Sequence, residues 1–362
     1  MIVYIPKLKL TETYMDILNI ARYALKKADI QFEELSGIQM NRSPFGGHCL
    51  MMMVFTGGKQ PTAFLRVSTD TKRSAALKTS YKNLKTLRTS LPTSFINSVP
   101  EPLMLEEKNG VTIFLESVQH ATPIKKLPPN SYFKSKGFNQ DFTAVIDWLT
   151  AFNKSLSTDS SEITEVQHNN LLYDAIAKYR QRFSVSSVLD ALLNETADTL
   201  NKAKLNLAPR HADFCTANVL IDQNHSVSVI DWEEELKPTW QFCDLLHFMS
   251  STWCIKYGRS LAEQQLNYQS MFFKSTHLTE TLQQGAHKYA KSMNLDASML
   301  MPLSVMTWVF HALHKANYVK RFAKNNTEIL MQRVQPITII NNNQCLNLEI
   351  LAAEKHNYIF KE

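Results

Sequence analysis

The hydrophobic period of the 362-residue chain changes once, at about residue 140, and this change limits the folds that the chain can adopt. Before it, short apolar runs alternate with turn-forming residues, which is typical of strands. After Leu127-Pro-Pro-Asn130, apolar residues recur every three or four positions, which is typical of amphipathic helices. The pattern predicts an α+β fold with a small N-terminal lobe built on an antiparallel sheet, residues 1–118, and a larger, mainly helical C-terminal lobe, residues 119–362.

The predicted elements follow this division. In the N-terminal lobe we predict strands at residues 38–40, 49–55 and 62–67, a hairpin of residues 101–105 and 111–117 across Asn109-Gly110, and helices at 12–28 and 73–89. In the C-terminal lobe we predict a helix that starts near residue 140, helices at 170–183, 186–204, 241–256, 260–273, 278–293 and 299–323, and a hairpin at 219–231.

Glycine is scarce, with 9 residues in the whole chain, and this scarcity excludes two common phosphate-binding loops. A Walker loop needs glycines that precede Lys and Ser or Thr, and a dinucleotide-binding loop needs Gly-x-Gly-x-x-Gly. The close pairs Gly46-Gly47 and Gly57-Gly58 supply neither pattern. The scarcity does not exclude nucleotide phosphates, which magnesium ligands, a short hairpin and a basic side chain can also hold.

Composition also argues against several locations and partners. No signal-peptide core and no run of 18 apolar residues is present, so we expect a cytoplasmic protein without a membrane span. The five cysteines are scattered and never form Cys-x-x-Cys, which argues against a disulfide framework and a thiolate zinc site. The net charge of +6 comes without a basic stripe with interleaved aromatics, so no nucleic-acid partner is expected.

One segment, residues 210–233, carries residues of the kinds that chemistry needs. It contains His211-x-Asp213-x-x-x-x-Asn218, an apolar strand, a turn and a second strand that ends at Asp231. If residues 223–226 form a four-residue turn, Asp222 faces Val227, and counting back along both strands places Asn218 opposite Asp231. A turn that differs by one residue would shift this register but would still leave the two side chains near one end of the hairpin. Carboxylate and amide oxygens at one end of a hairpin form a hard-oxygen site that suits Mg²⁺.

Phosphoryl transfer from a nucleotide requires these groups, because oxygen ligands hold the metal and a carboxylate accepts the proton of the attacking hydroxyl. Asn218 and Asp231 are therefore predicted to bind Mg²⁺, and Asp213 to orient and deprotonate the acceptor hydroxyl. His211 is predicted to organise the loop through hydrogen bonds. Glu233, with the two glutamates after it, could attract a cationic or polyhydroxylated acceptor.

These motifs resemble those of the aminoglycoside phosphotransferase and choline kinase superfamily, distant relatives of protein kinases. The resemblance rests on the His211 to Asn218 motif, on Val-Ile-Asp231-Trp-Glu at hairpin distance, and on Asp244-Leu-Leu in the following helix. It implies a bilobal protein-kinase-like fold, ATP or GTP as phosphate donor, Mg²⁺, and a small-molecule hydroxyl acceptor such as a sugar, an aminoglycoside or an amino alcohol. Asp244 would brace the catalytic loop.

The N-terminal lobe departs from the superfamily pattern. In relatives a lysine on the third strand holds the nucleotide phosphates and pairs with a glutamate on the next helix. Here the strand carries Arg66, the helical register places Ser80 at the glutamate position, and residues 71–100 contain no acidic residue. By position, Gly46 and Gly47 would form the nucleotide loop, and the stretch from Leu115 through Glu116 to Val118 would receive the adenine.

Two functions of different classes follow, and a third, minor alternative is a metal and nucleotide site that serves another transfer reaction. The full set of Asp213, Asn218 and Asp231 favours an active kinase of small molecules. The missing Lys-Glu pair favours a pseudokinase, a module that binds a nucleotide or a protein without catalysis. A planar arginine can contact phosphates through two donors, but it does not have the geometry of a lysine.

Overall fold

A computed structural model describes residues 14–40, 49–127, 129–133, 135–157, 165–203, 205–257 and 275–323. The chain divides into two compact units. The first comprises Met1–Ala121 together with Ser228–Leu236, and the second comprises Thr122–Val227 together with Lys237–Glu362. The lobes predicted from the sequence, with a boundary after residue 118, were each continuous, whereas the first unit also contains Ser228–Leu236.

The first unit is an antiparallel sheet with two helices. Its elements are α1 (Tyr14–Lys27), β1 (Ser36–Gln39), β2 (Cys49–Phe55), β3 (Ala63–Ser68), α2 (Thr71–Ser90), a 3₁₀ helix (Thr93–Ser98), β4 (Pro102–Lys108) and β5 (Val111–Ser117). The five strands lie in the order β1-β2-β3-β5-β4. β4 and β5 are joined by the predicted two-residue turn, in which Asn109 and Gly110 both adopt positive φ angles of 53° and 76°.

The core of the first unit lies between α1 and the sheet. Apolar side chains at helical spacing on α1 pack against alternate residues of the central strands, and the fully or nearly fully buried members include Ile17, Ala21, Ala24, Leu25, Met52, Val54, Leu65, Ile113 and Leu115. Burial of this apolar surface, at about 25 cal/mol per Å², is the main favourable contribution to the stability of the unit. Because side chains alternate along a strand, burial of one face of the sheet under α1 also determines which residues lie on the opposite face. α2 contacts β3, β4 and β5.

Helix α2 has well-defined ends. Asp70 caps its N-terminus, with a carboxylate oxygen that accepts a hydrogen bond from the backbone N–H of Arg73 at 2.9 Å. The helix ends at Ser90, and the next residue, Leu91, precedes a proline and takes the extended conformation that this position favours. Its buried face includes the apolar Leu84 and the polar Ser80. Polar groups on a buried face require hydrogen-bond partners, and these partners belong to the candidate site.

The second unit is mainly helical. Its helices are α3 (Pro129–Tyr132), α4 (Lys136–Leu156), α5 (Glu165–Arg182), α6 (Ser187–Lys202), α7 (Cys243–Tyr257), α8 (His277–Ser292) and α9 (Leu300–Ala323). Its short strands are β6 (Thr122–Pro123), β7 (Leu207–Pro209), β8 (Val219–Ile221) and β10 (Pro238–Trp240), and the boundary between the units falls inside β9 (Val227–Val229). The strands form two small sheets, β6-β8-β9 and β7-β10.

Helix α4 is central to the second unit. Ser135 caps its N-terminus through its side-chain oxygen. The apolar face predicted from the sequence is buried, with Phe142, Val145 and Leu149 at most 2% exposed. α4 packs on α8, while α9 contacts α5, α6 and α7. The segment before β8 packs on α4 through Phe214, whose ring stacks on Trp148 at 5.6 Å between centroids.

The turn after β8 differs from the sequence prediction by one residue. The backbone N–H of Asp222 donates to the carbonyl oxygen of Ser226 at 3.1 Å, and that of His225 donates to the carbonyl of Asp222 at 3.2 Å. The turn therefore contains residues 223–225, with His225 in the left-handed region at a φ of 62°. The predicted pairing of Asp222 with Val227 is wrong, and the count that placed Asn218 opposite Asp231 does not hold.

For most of the remaining helices and strands, the predicted first and last residues lie within a few positions of those in the structure. The predicted α+β class is confirmed. The helix predicted at residues 260–273 lies outside the described residues. Among the helices that the structure describes, none combines the length and the apolar character that a membrane crossing requires.

Candidate active site

A buried carboxylate organises the loop between β7 and β8. Asp244, in the first turn of α7, accepts the backbone N–H of His211 at 2.6 Å and the backbone N–H of Ala212 at 3.2 Å. Burial raises the pKa of the Asp244 carboxyl, and the nearby His211 acts in the opposite direction. Ala212 adopts a φ of 68°, a left-handed conformation that alanine rarely takes. The two hydrogen bonds to Asp244 hold the backbone in this turn.

The same loop joins Asp213 to Asn218. The side-chain amide nitrogen of Asn218 donates to the backbone carbonyl of Asp213 at 3.0 Å and to its carboxylate at 2.9 Å. These bonds orient the amide oxygen of Asn218 away from Asp213. His211 is 2% exposed, and its Nδ1 accepts the backbone N–H of Asp213 at 3.3 Å. The imidazole therefore acts within the loop, as a hydrogen-bond acceptor.

Further backbone contacts fix the loop in the second unit. The N–H of Thr216 donates to the hydroxyl of Ser251 on α7 at 3.0 Å, and the carbonyl of Thr216 accepts the N–H of Lys125 at 2.9 Å. The loop is thus attached to α7 at His211, Ala212 and Thr216. A loop held at several points positions a catalytic side chain more accurately than a mobile one.

In the first unit, Arg66 on β3 makes a buried ion pair that the sequence analysis did not predict. Its Nη2 donates to both carboxylate oxygens of Glu116 on β5, at 2.9 and 3.0 Å, and to the hydroxyl of Ser80 on α2 at 3.0 Å. Arg66 and Glu116 are each 6% exposed. Arg66 lies opposite Phe114 and Phe64 lies opposite Glu116, so the pair is a diagonal contact on one face of the sheet.

Asp231 and Glu233 are also part of the first unit. Asp231 has a φ of 70°, and its Oδ1 lies 3.8 Å from Nη1 of Arg66. Glu233 lies 3.5 Å from Nη1 of Arg73 on α2. Burial and the neighbouring Asp231 raise the pKa of Glu233 to about 7, while Arg73 acts in the opposite direction. The Glu233 carboxylate therefore already has a cationic partner on α2.

Asn83 was missed by the sequence analysis. Its side-chain amide nitrogen donates to the carbonyl oxygens of Trp232, at 2.9 Å, and Glu234, at 2.7 Å. Asn83 is 4% exposed and lies one turn from Ser80 on the buried face of α2. Asn83 and Trp232 are 149 positions apart in the sequence, so no local sequence pattern could predict this hydrogen bond. One face of α2 thus holds both Arg66 and the segment that contains Asp231.

The residues predicted to bind Mg²⁺ have suitable chemistry. Asn218 contributes an amide oxygen, and Asp231 contributes a carboxylate that is 39% exposed on its side chain. Within the described part of the chain, no group of three His, Cys, Asp or Glu side chains lies close enough to hold a metal alone. Mg²⁺ is commonly held by one or two protein oxygens together with phosphate oxygens and water, so the chemistry of each of these two side chains suits this ion.

The other predicted nucleotide contacts are described in part. Glu116 belongs to β5, and Val118 follows that strand directly and is half-buried. Gly46 and Gly47 lie outside the described residues. The structure therefore brings Arg66, Glu116 and Asp231 together in the first unit, and His211, Asp213, Asn218 and Asp244 together in the second.

Comparisons with known proteins assign a family. The profile of the APH family, described as the phosphotransferase enzyme family, matches residues 54–278. A search of the curated proteins finds no match. Solved structures match over most of their length. A thermostable mutant of aminoglycoside phosphotransferase APH(4)-Ia, crystallised with ADP and hygromycin B, aligns with a TM-score of 0.55 and 11% identity, covering 91% of this chain and 97% of that one.

A second solved structure has the same fold. The macrolide 2'-phosphotransferase MphH from Brachybacterium faecium, as the apoenzyme, aligns with a TM-score of 0.51 and 12% identity, covering 90% of this chain and 97% of that one. The resemblance inferred from the sequence motifs is thus confirmed, as is the kinase-like fold. Because the family profile spans more than half of its length, the chain belongs to the phosphotransferase enzyme family.

Proposed function

We propose that the chain transfers the terminal phosphoryl group of ATP, or of GTP, to a hydroxyl of a small molecule such as a sugar, an aminoglycoside or an amino alcohol. The observation that carries this proposal is the braced loop of the second unit. There Asp244 fixes the backbone of His211 and Ala212, and Asp213 is joined to Asn218 at 2.9 Å. This arrangement presents a half-buried carboxylate that accepts a hydrogen bond from the side-chain amide nitrogen of Asn218, and it leaves the amide oxygen of Asn218 directed away from Asp213.

In this reaction Asp213 is the general base. It would accept the proton of the acceptor hydroxyl as the oxygen forms a bond to the γ-phosphorus, while the bond between that phosphorus and the bridging oxygen of ADP breaks. The hydrogen bond from Asn218 orients the carboxylate of Asp213. His211 is proposed to support the loop, in which its Nδ1 accepts the backbone N–H of Asp213.

Asn218 and Asp231 are proposed to hold Mg²⁺, which would neutralise charge on the phosphate oxygens during transfer. Arg66 is proposed to contact the phosphates. The backbone from Glu116 to Val118, and the loop of Gly46 and Gly47, are proposed to receive the rest of the nucleotide. Neighbours with this fold were crystallised with ADP or AMP-PNP together with hygromycin B, which supports a nucleotide and a polyhydroxylated acceptor as ligands.

A pseudokinase is the second candidate, and one observation favours it. Arg66 stands where relatives have a lysine, and Glu116 and Ser80 already engage its Nη2. A protein of this kind would bind a nucleotide or a protein partner without transferring phosphate. The two candidates differ in whether a bound nucleotide is consumed.

The test combines thermal stability with nucleotide consumption. We expect ATP with Mg²⁺ to raise the Tm of the wild type, and we expect the rise to disappear in Asp231→Ala but to persist in Asp198→Ala, which removes an exposed aspartate on α6. ATP and GTP consumption is then measured over sugars, amino alcohols and aminoglycosides. A wild type that neither nucleotide stabilises would refute the kinase proposal, whereas stabilisation without consumption for any acceptor would favour the pseudokinase.

A further inference from the structure

Contacts with β5 largely determine the orientation of the Arg66 guanidinium. Its Nη2 has contacts with both oxygens of Glu116 and with Ser80, all within 3.0 Å. The guanidinium carbon also lies 4.8 Å from the ring centroid of Phe114, the residue directly opposite on β5. A planar guanidinium held by a carboxylate at one end and by an aromatic ring on one face has few remaining orientations.

The rest of the guanidinium faces the segment that contains Asp231. Nη1 lies 3.8 Å from Oδ1 of Asp231, beyond the length of a direct hydrogen bond. Nε of Arg66 is buried, with no hydrogen-bond partner in the structure. The Glu116 contacts therefore occupy one end of the side chain and leave Nη1 directed toward the carboxylate that is proposed to bind the metal.

The charge balance of this cluster explains why Glu116 matters. A guanidinium stays protonated at all accessible pH values, and a buried one requires a nearby carboxylate. Ser80 supplies a hydrogen-bond acceptor but no charge, and Asp231 is farther away and partly exposed. Glu116 is thus the carboxylate that neutralises Arg66 at hydrogen-bond distance.

We propose that Glu116 is a positioning residue, which holds Arg66 so that its Nη1 meets the nucleotide phosphates next to Asp231. The ion pair that relatives form between a strand lysine and a helix glutamate is replaced here by a pair between two neighbouring strands, with Ser80 as the remaining contact from the helix. This inference rests on the proposed function, because it assigns Glu116 a part in the same nucleotide site. It gives the Glu116 side chain a role distinct from a backbone contact to adenine.

The experiment measures ATP·Mg²⁺ and adenosine binding by calorimetry in parallel. In Glu116→Gln we expect the Kd for ATP·Mg²⁺ to rise about tenfold, and the Kd for adenosine to change less than about twofold, since only the phosphates depend on Arg66. The matched control is Glu107→Gln, the same substitution at an exposed position on β4 that pairs with Lys78, and it should leave both affinities unchanged.

A second substitution distinguishes a role of Glu116 in positioning Arg66 from a role in stabilising the fold. Adding Ser80→Glu to Glu116→Gln returns a carboxylate to Arg66 from α2, and we expect it to recover most of the lost ATP affinity. Should Glu116→Gln not fold, Glu116→Asp keeps the charge but shortens the side chain by one methylene, and we expect it to lower ATP affinity several-fold with adenosine unaffected.

The affinities of these variants decide whether Glu116 positions Arg66 for the phosphates. Unchanged ATP affinity in Glu116→Gln or Glu116→Asp would overturn the inference, and so would an equal loss for ATP and adenosine, which would show a structural role only. If the wild type itself binds no ATP, the proposed function fails first, and that result is distinguishable because it does not depend on any variant.

Discussion

The ring of Phe142 on α4 lies directly against Gly285 on α8. A methyl group placed on Gly285 would overlap Cε1 of Phe142 and would lie 2.9 Å from its Cζ. Phe142 is also stacked against Phe138 at 5.8 Å and against Phe248 at 6.1 Å between ring centroids. The ring is therefore confined on both faces and cannot move aside without disturbing the core of the second unit.

Gly285→Ala should lower stability although alanine is the better helix former. The gain in helix propensity is about 1 kcal/mol, and overpacking of a confined core costs about 1–3 kcal/mol, so we expect a net loss of up to about 2 kcal/mol. Urea unfolding measures it. Gly58→Ala is the control, because a β-carbon there meets no atom closer than 3.9 Å. Equal stability of the two variants would contradict the close packing.

Asn83→Ala should destabilise the first unit. It removes the hydrogen bonds to the carbonyls of Trp232 and Glu234 from a buried site, and we expect a loss of about 1–3 kcal/mol in the free energy of unfolding. Lys82→Ala, on the exposed side of the same helix, should change it by less than about 0.5 kcal/mol. An Asn83→Ala protein as stable as Lys82→Ala would show that these contacts contribute little.

Asp213→Asn should abolish phosphoryl transfer while leaving the nucleotide-dependent rise in Tm intact. The amide keeps the size of the carboxylate but cannot accept the proton of the acceptor hydroxyl, and general-base catalysis contributes typically 10²–10⁴-fold in rate. The measurement is turnover with the acceptor found by the consumption screen, next to the thermal shift with ATP·Mg²⁺. If both are lost together, Asp213 has a structural role.

Asp244→Asn should weaken both stability and turnover. One carboxylate oxygen becomes an N–H group that faces the backbone N–H of His211 or Ala212, so at least one hydrogen bond is lost and two donors oppose each other. We expect a loss of about 1–3 kcal/mol in unfolding free energy and a fall in kcat, with little change in ATP affinity. Asp147→Asn, an exposed aspartate of α4, is the matched control. A fully active Asp244→Asn enzyme would disprove the bracing role.

Local sequence patterns predict the helical part of this fold well, because burial repeats along each helix. Phe142, Val145 and Leu149 recur at helical spacing and are all buried. The His225 turn was less predictable. A histidine in the left-handed region is uncommon, and the sequence offers no glycine that would mark the position.

The contact between Glu116 and Arg66 could not be predicted from local sequence patterns. Every residue from Val111 to Glu116 is buried, so β5 has no alternation that would show which side chains share a face. The contact with Arg66 requires the register of β3 and β5, which is set by non-local pairing. The only signal in the sequence was an acidic residue inside an apolar strand, a position where an ionised side chain needs a partner.

The discontinuous first unit has a consequence for synthesis of the chain. Its sheet and helices are complete at Ala121, but the carbonyls that Asn83 binds arrive only with the segment up to Leu236. At about 5–20 residues per second, the end of this segment is synthesised roughly 6–23 s later. During that interval the buried amide of Asn83 has no Trp232 to bind, so the unit reaches its final form only after much of the second unit has been made.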